Sequence, residues 1–271
     1  MVKIINNILH YACHDNNFKL VEMLLKCGAD INVLGSDNET PLFSIIKFGF
    51  FDSRSIDMIK YLVQQGADVN IGNFWNQTPL HMACYQNNLK MVKFFVENGA
   101  DLNKTVAIDF TPLHLSCKYG YLDIVKYLIK AGDEVNKEVS VDTSPLHYAC
   151  LEDNIETVKY LVENGADLNK IDYSGRTPLA YVCDRGYFEV VKYLVENGAD
   201  INKASDNGYT PLYSACQEGY FKIVKYLVEN GADINKISKN NPLEISMSKG
   251  FLDIVMYLLE NIDTFINNNN Y

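Results

Sequence analysis

The 271 residues predict an all-α solenoid built from helix-turn-helix units joined by short hairpin connectors. Two motifs and a periodicity predict it. A Thr-Pro-Leu triplet opens at Thr40, Thr78, Thr111, Thr177 and Thr210, with variants at Ser144 and Asn241, and successive starts lie 38, 33, 33, 33, 33 and 31 residues apart. Gly-Ala-Asp-x-Asn keeps step with it from Gly28, Gly66, Gly99, Gly165, Gly198 and Gly231, and Gly132 opens a variant. Between the two motifs lie short apolar stripes with helical spacing, such as Leu122, Val125, Leu128 and Ile129.

Each unit can be justified in order. The opening Thr caps the first helix through its hydroxyl. The Pro after it sits at the first helical position, where no N–H is needed and φ is already suitable. Leu then begins the buried face; in the unit at Thr111, Leu113 and Cys117 share that face and Gly120 ends the helix. A second helix spans about Leu122 to Lys130, and Gly132 closes it. The connector follows. Two residues before each cap stand Asn38, Asn76, Asp109, Asp142, Gly175 and Gly208, residue types that accept a left-handed backbone. The connector Lys236 to Asn240 is two residues shorter and is expected to turn differently. Helices this short do not persist alone in water, so each unit needs its neighbours to bury its apolar face. The recurring Val92, Val125, Val158, Val191 and Val224 are expected to line that interior. Stepping back 33 residues from Thr40 reaches Asn7, where Asn7-Ile8-Leu9-His10 opens a first unit. The chain then reads as one solenoid over 1–266 with eight units (about 7–39, 40–77, 78–110, 111–143, 144–176, 177–209, 210–240 and 241–266) and a polar tail over 267–271.

Composition narrows the function classes. Lys plus Arg is 24 against 34 Asp plus Glu, a net charge of −10, which argues against nucleic acid as partner. No apolar run is long enough for a membrane span, and the first ten residues do not form a signal peptide. Cys13, Cys84, Cys117, Cys150, Cys183 and Cys216 recur at one position, one turn after the buried Leu, and read as small buried hydrophobes. Stacked helices lie about 10 Å apart, beyond disulfide reach, so the row suits a reducing, intracellular and cytoplasmic setting. Cys27 stands outside it. His10, His81, His114 and His147 occupy the third position after the cap. The same spacing excludes a shared zinc, whose Zn–N bonds are about 2 Å, and the imidazoles are expected to brace the cap or the neighbouring turn. The periodic Asp30, Asp68, Asp101, Asp167, Asp200 and Asp233 are expected to bond turn N–H groups. Lys60, Lys93, Lys126, Lys159, Lys192 and Lys225, with Glu97, Glu163, Glu196 and Glu229 four residues after their lysines, form a solvated outer face. No phosphate loop, metal motif or cofactor motif is present, and an enzyme would need a site at an irregular repeat.

The Thr-Pro-Leu-His and Gly-Ala-Asp-x-Asn signatures resemble the ankyrin repeat family over about Asn7 to Asn261. The Asn-, Ile-, Lys- and Tyr-rich style also resembles ankyrin proteins encoded by large DNA viruses. The resemblance implies a protein-interaction scaffold or adaptor that binds a partner protein, host-derived if the chain is viral, along its hairpin tips and first-helix face. Small-molecule substrate, cofactor and membrane are not implied, and the polar end repeats expected of the family favour a monomer. At the positions the resemblance marks, side chains vary without period: Phe74 and Trp75 in one connector, then Phe110, Tyr173, Arg176 and Tyr209, and Tyr148, Tyr181 and Arg185 on first helices. Aromatic and Arg residues are the usual anchors of binding energy. Ile108, Val139 and Val141 either extend the set or cross-pack between connectors, and five extra residues within Gly49 to Ile56 bring Phe50 and Phe51 into a turn. In related proteins the closing Asn of the second motif is hydroxylated by a cellular oxygenase, so Asn103, Asn169 and Asn202 are candidates for a decoy or substrate role.

Overall fold

A computed structural model describes residues 2–47, 53–106, 110–139, 143–235 and 241–268, with no account of the side chains of 2–3 and 263–268. Asp109, Asp142, Ile108, Val141, Phe50, Phe51, the Lys236 to Asn240 connector and the last residues of the tail lie outside the described residues. The chain divides into two compact units, Met1–Ser116 with Asp123–Asp133, and Cys117–Leu122 with Glu134–Tyr271.

Every described element is helical. In the first unit α1 (Val2–His14) packs on α2 (Phe18–Lys26) and on α3 (Pro41–Ile46). The latter packs on α4 (Ser53–Gln64) and α5 (Pro79–Tyr85), and α5 packs on α6 (Leu89–Glu97). Most of α7 (Pro112–Lys118) and α8 (Leu122–Lys130) also belongs to this unit. In the second unit α9 (Pro145–Leu151), α11 (Pro178–Arg185), α13 (Pro211–Glu218) and α15 (Pro242–Lys249) stack as first helices. Their partners α10 (Ile155–Glu163), α12 (Phe188–Glu196), α14 (Phe221–Glu229) and α16 (Leu252–Asn268) stack beside them. The valine row and the six cysteines are fully buried, as are Leu9, Leu42, Leu80, Leu113 and Leu179. Burial of such side chains, each of roughly 1.5–3 kcal/mol, is what holds helices of nine residues or fewer together.

The caps behave as their residue types demand. Thr40 Oγ1 accepts from Phe43 N at 3.2 Å, Thr177 from Ala180 N at 3.3 Å and Thr210 from Tyr213 N at 3.1 Å. Where His follows at the third position it adds a brace. Thr78 N–H donates to His81 Nδ1 (3.2 Å), the Thr78 hydroxyl lies 2.8 Å from the same nitrogen, and Nε2 lies 3.2 Å from the Phe110 carbonyl. With Nδ1 accepting, the proton sits on Nε2, which donates to that carbonyl. His147 repeats the arrangement, from Ser144 to the Arg176 carbonyl at 3.1 Å. One imidazole thus ties a cap to the hairpin of the following repeat.

The first repeat departs from expectation. Asn7 was expected to open it, yet α1 begins at Val2 and Asn7 lies within the helix, so His10 has no cap to brace and meets Ser44 Oγ at 3.2 Å instead. The five-residue insertion is partly helical: α4 starts at Ser53 and has 12 residues where α6 has nine. Ser55, on that added turn, is buried and accepts from Asn16 Nδ2 at 2.9 Å.

Turns are closed by left-handed residues at a fixed place. Among the described residues, the position nine after a cap has positive φ, and the residue there is Gly120, Gly186, Gly219 or Gly250, or else Asn16, Asn87 or Asp153. In the connectors Asn38, Asn76, Gly175 and Gly208 have positive φ as their types predicted. The Asp row bonds the turn N–H two residues on, as in Asp68 to Asn70 N (2.8 Å) and Asp200 to Asn202 N (2.9 Å). The closing Asn then reaches the next repeat. In the first unit Asn70 Oδ1 accepts from Asp101 N (2.7 Å) while its Nδ2 donates to the Gly99 carbonyl (2.9 Å). In the second unit Asn136 and Asn202 make the same pair of bonds with the turns of Gly165 and Gly231.

Candidate partner-binding surface

In the second unit the connector ahead of Thr177 is shaped by Asp172. Its carboxylate is almost fully buried; Oδ1 accepts from Ser174 N (2.8 Å) and Arg176 N (2.9 Å), and Oδ2 accepts from the Tyr181 hydroxyl (2.6 Å). Gly175, with positive φ, completes the turn. The Arg176 guanidinium is thereby laid over the Tyr181 ring at 4.1 Å, with Nη2 3.4 Å from Asp184 Oδ2. Burial, together with the bond to Asp172, holds the Tyr181 hydroxyl well above its ordinary pKa, so it stays a donor. His147 meets the edge of the same ring. The next connector leans on this one through Asp206 N to the Ser174 carbonyl (3.1 Å), and Tyr209 stacks parallel on Tyr213 with centroids 4.6 Å apart. Between the two connectors and their first helices opens a cleft of about 260 Å³, lined by Arg176, Asp184, Asn207, Tyr209, Tyr213 and Gln217 among others. A stacked aromatic pair, an oriented guanidinium, a carboxylate and amides thus line one cleft.

In the first unit Asn73 does the work of Asp172, accepting from Trp75 N (3.1 Å) and Gln77 N (2.9 Å). It projects Phe74 and Trp75 edge to face, with Phe74 69% exposed. A cleft of about 380 Å³ lies at the matching place between the first two repeats, lined by His10, Tyr11, His14, Glu39 and Ser44 among others.

Of the side chains expected to face a partner, Phe74, Trp75, Tyr173, Arg185 and Tyr209 are exposed, and Arg176 and Tyr181 are half-buried with each other as neighbours. Arg176 and Tyr209 share the cleft. Two expectations are corrected. Tyr148 is buried; the fourth position after a cap lies at the edge of the first helix's inner face, where Tyr181 is half-buried. Phe110, the residue before Thr111, is buried, unlike Tyr209 at the same place before Thr210; its carbonyl serves Val106 N (3.0 Å) and His81, not a tip. Val139 is buried too. Asp184 and Gln217 were not singled out, though both fall seven residues after a cap, where the first-helix face is read. Of the candidate asparagines, Asn103 and Asn169 are exposed and Asn202 half-buried. Asn169 Oδ1 accepts from Asp200 N at 2.7 Å, and Asn202 is held on both sides of its amide.

The family model for ankyrin repeats (three copies) matches residues 9–106, 52–139, 106–172, 169–238 and 203–270 in overlapping stretches. The chain belongs to the ankyrin repeat family. Its fold is the all-α ankyrin solenoid, a non-catalytic scaffold that generally mediates protein–protein interaction. No curated protein matches the chain. Among the described residues no group of three or more His, Cys, Asp or Glu could hold a metal ion, and no helix is long and apolar enough to cross a membrane.

Proposed function

We propose that this chain is an adaptor that grips a partner protein at the connector and first-helix face of its second unit, centred on Arg176, Asp184 and Tyr209. The cleft between the repeats of Thr177 and Thr210 carries the reading: unrepeated aromatic and charged side chains gather there, while the repeated Val and Cys rows are buried in the interior. Phe74 and Trp75 offer a further contact in the first unit. Six buried thiols suit a reducing, cytoplasmic setting, and the compositional likeness to ankyrin proteins of large DNA viruses points to a host partner. The test starts from a partner identified by cross-linking in cells and then purified. Tyr209→Ala should weaken its binding at least tenfold in calorimetry, as truncation of a central aromatic does. Glu163→Ala on the outer face should leave it unchanged. Equal affinities for all three proteins would remove this face from consideration.

A second reading makes the chain a substrate for an asparaginyl hydroxylase, and Asn103, exposed at its turn, favours it. Intact mass after incubation with such an oxygenase should rise by one oxygen atom in the wild type and not in Asn103→Ala. An unchanged wild-type mass would end this reading.

A further inference from the structure

The last repeat differs from its predecessors on one side. In inner repeats, four kinds of position face the repeat that follows. Phe188 and Phe221 meet Tyr226 and Tyr257 edge-on at 5.6 and 5.7 Å. The lysine row faces the same way, since Lys93 Nζ lies 5.7 Å from the centre of the Tyr127 ring. The Cys216 thiol neighbours Ser246 one repeat later. Val228 shares a cleft with Asn261 and Ile262. At the corresponding places the last repeat carries Leu252, Met256, Met247 and Leu259, all of them exposed, Leu252 by 72% and Met256 by 62%. Leu252, Met256 and Leu259 are four and three residues apart along α16, so they form one stripe. Met256 replaces the lysine found at this place in every repeat from Lys60 to Lys225, and thus removes a charge that would oppose burial.

The first repeat shows the opposite side of the same interface. Met23 stands where later repeats carry an aromatic ring, Tyr127, Tyr226 and Tyr257 among them, that receives the preceding repeat, and it is exposed. Ile8 stands in the place of the prolines, all seven of which are buried, and Ile4 lies one turn before it; both are exposed. The interior chemistry of each unit therefore continues onto an exposed side, the following side of the last repeat and the preceding side of the first, where polar side chains had been expected.

We propose that the outer side of the last repeat docks on the outer side of the first repeat of a second copy of this chain, head to tail. The surface that fits the following side of a repeat is the preceding side of another, and the chain presents one with apolar replacements at Ile4, Ile8 and Met23. Pairing two last repeats would set Met256 against Met256, a contact with no counterpart inside the stack. Such a heterologous contact uses different patches on the two partners.

Sedimentation equilibrium on the full chain tests this. The weight-average mass should rise with concentration from 30.7 kDa to at least double. Leu252→Glu with Met256→Lys should stay at the mass of one chain, as should Ile4→Lys with Met23→Lys, both with unchanged helical circular dichroism. All four positions are exposed, so folding is preserved. An equimolar mixture of the two variants retains one intact side of each kind and should form a two-chain complex and nothing larger. A wild type that stays monomeric to its solubility limit would overturn the proposal, whether the surface is then covered by another protein or by none. So would association surviving in either variant alone, or a mixture that fails to associate.

Discussion

His81 shows how much one side chain decides. It accepts from its cap, donates to the next connector, and must be neutral to do both. Burial pushes its pKa down to about 4, and burial lowers that of His147 as well. The unfolded chain takes up the proton below about pH 6.5, whereas folded His81 refuses it until about pH 4, so stability falls across that window as the pH falls. The loss from His81 is on the order of 3 kcal/mol, counted at 1.36 kcal/mol per pH unit. The urea midpoint should therefore drop between pH 7 and pH 4.5, and His81→Asn should show a shallower drop; parallel curves for the two proteins would contradict the assignment. Asn136 is a second test at this scale. Its amide spans two turns, with both bonds at 2.9 Å or less, and Asn136→Ala should lose roughly 1–3 kcal/mol in urea melts, while Lys203→Ala should stay within about 0.5. Caps, thiols, imidazoles and turn carboxylates were all legible because each answers a local hydrogen-bonding or steric demand that recurs with the period. Tyr148 and Phe110 were not. Their positions border the buried face, where the choice between inward and outward rests on the neighbouring repeat's shape rather than on spacing.

At the scale of elements, the turn between the two helices of a repeat is the sensitive point. Gly186 has φ +80°, and a Cβ added there would sit 2.7 Å from the Tyr220 ring. Gly186→Ala should thus cost more than the roughly 1 kcal/mol of an unfavourable φ alone. Asn87 has φ 53° at the same place in its repeat, and Asn87→Gly should be neutral or mildly stabilising. Thermal melts of the two variants compare them directly; a harmless Gly186→Ala would mean that Tyr220 moves aside freely. The helices themselves were legible almost to the residue, α8 falling on Leu122–Lys130 as the apolar stripe required. The left-handed role of Asn87 and Asp153 was not legible from the glycines, although their offset from the cap carried the signal. The start of α1 was missed for a related reason: the period located a cap at Asn7, and nothing periodic announces the turn of helix that precedes it.

For the whole molecule, stability in a repeat stack is a sum of unit and nearest-neighbour terms. Leu194 is fully buried in the second unit, and Leu194→Ala should cost about 2–5 kcal/mol through the cavity it leaves. Hydrogen exchange should then quicken most in α10, α12 and α14 and least in α3 to α6; uniform acceleration would mean that the two units unfold as one. One boundary between the two compact units, Asp133–Glu134, falls in the one motif where Gly-Asp-Glu replaces Gly-Ala-Asp. The proposed recognition face follows from subtraction, as the positions that refuse to repeat. Which of those positions converge on one cleft depended on the path of the connectors, and Asp172, buried and satisfied, sets that path for Arg176.

The row of sulfur atoms has a practical consequence. Six of the seven thiols are sealed inside, with burial raising Cys84 and Cys216 to about 12, while Cys27 alone meets solvent. A maleimide dye therefore finds a single address on the native molecule, and each later equivalent it consumes reports a repeat coming open, so that the chain carries its own unfolding clock.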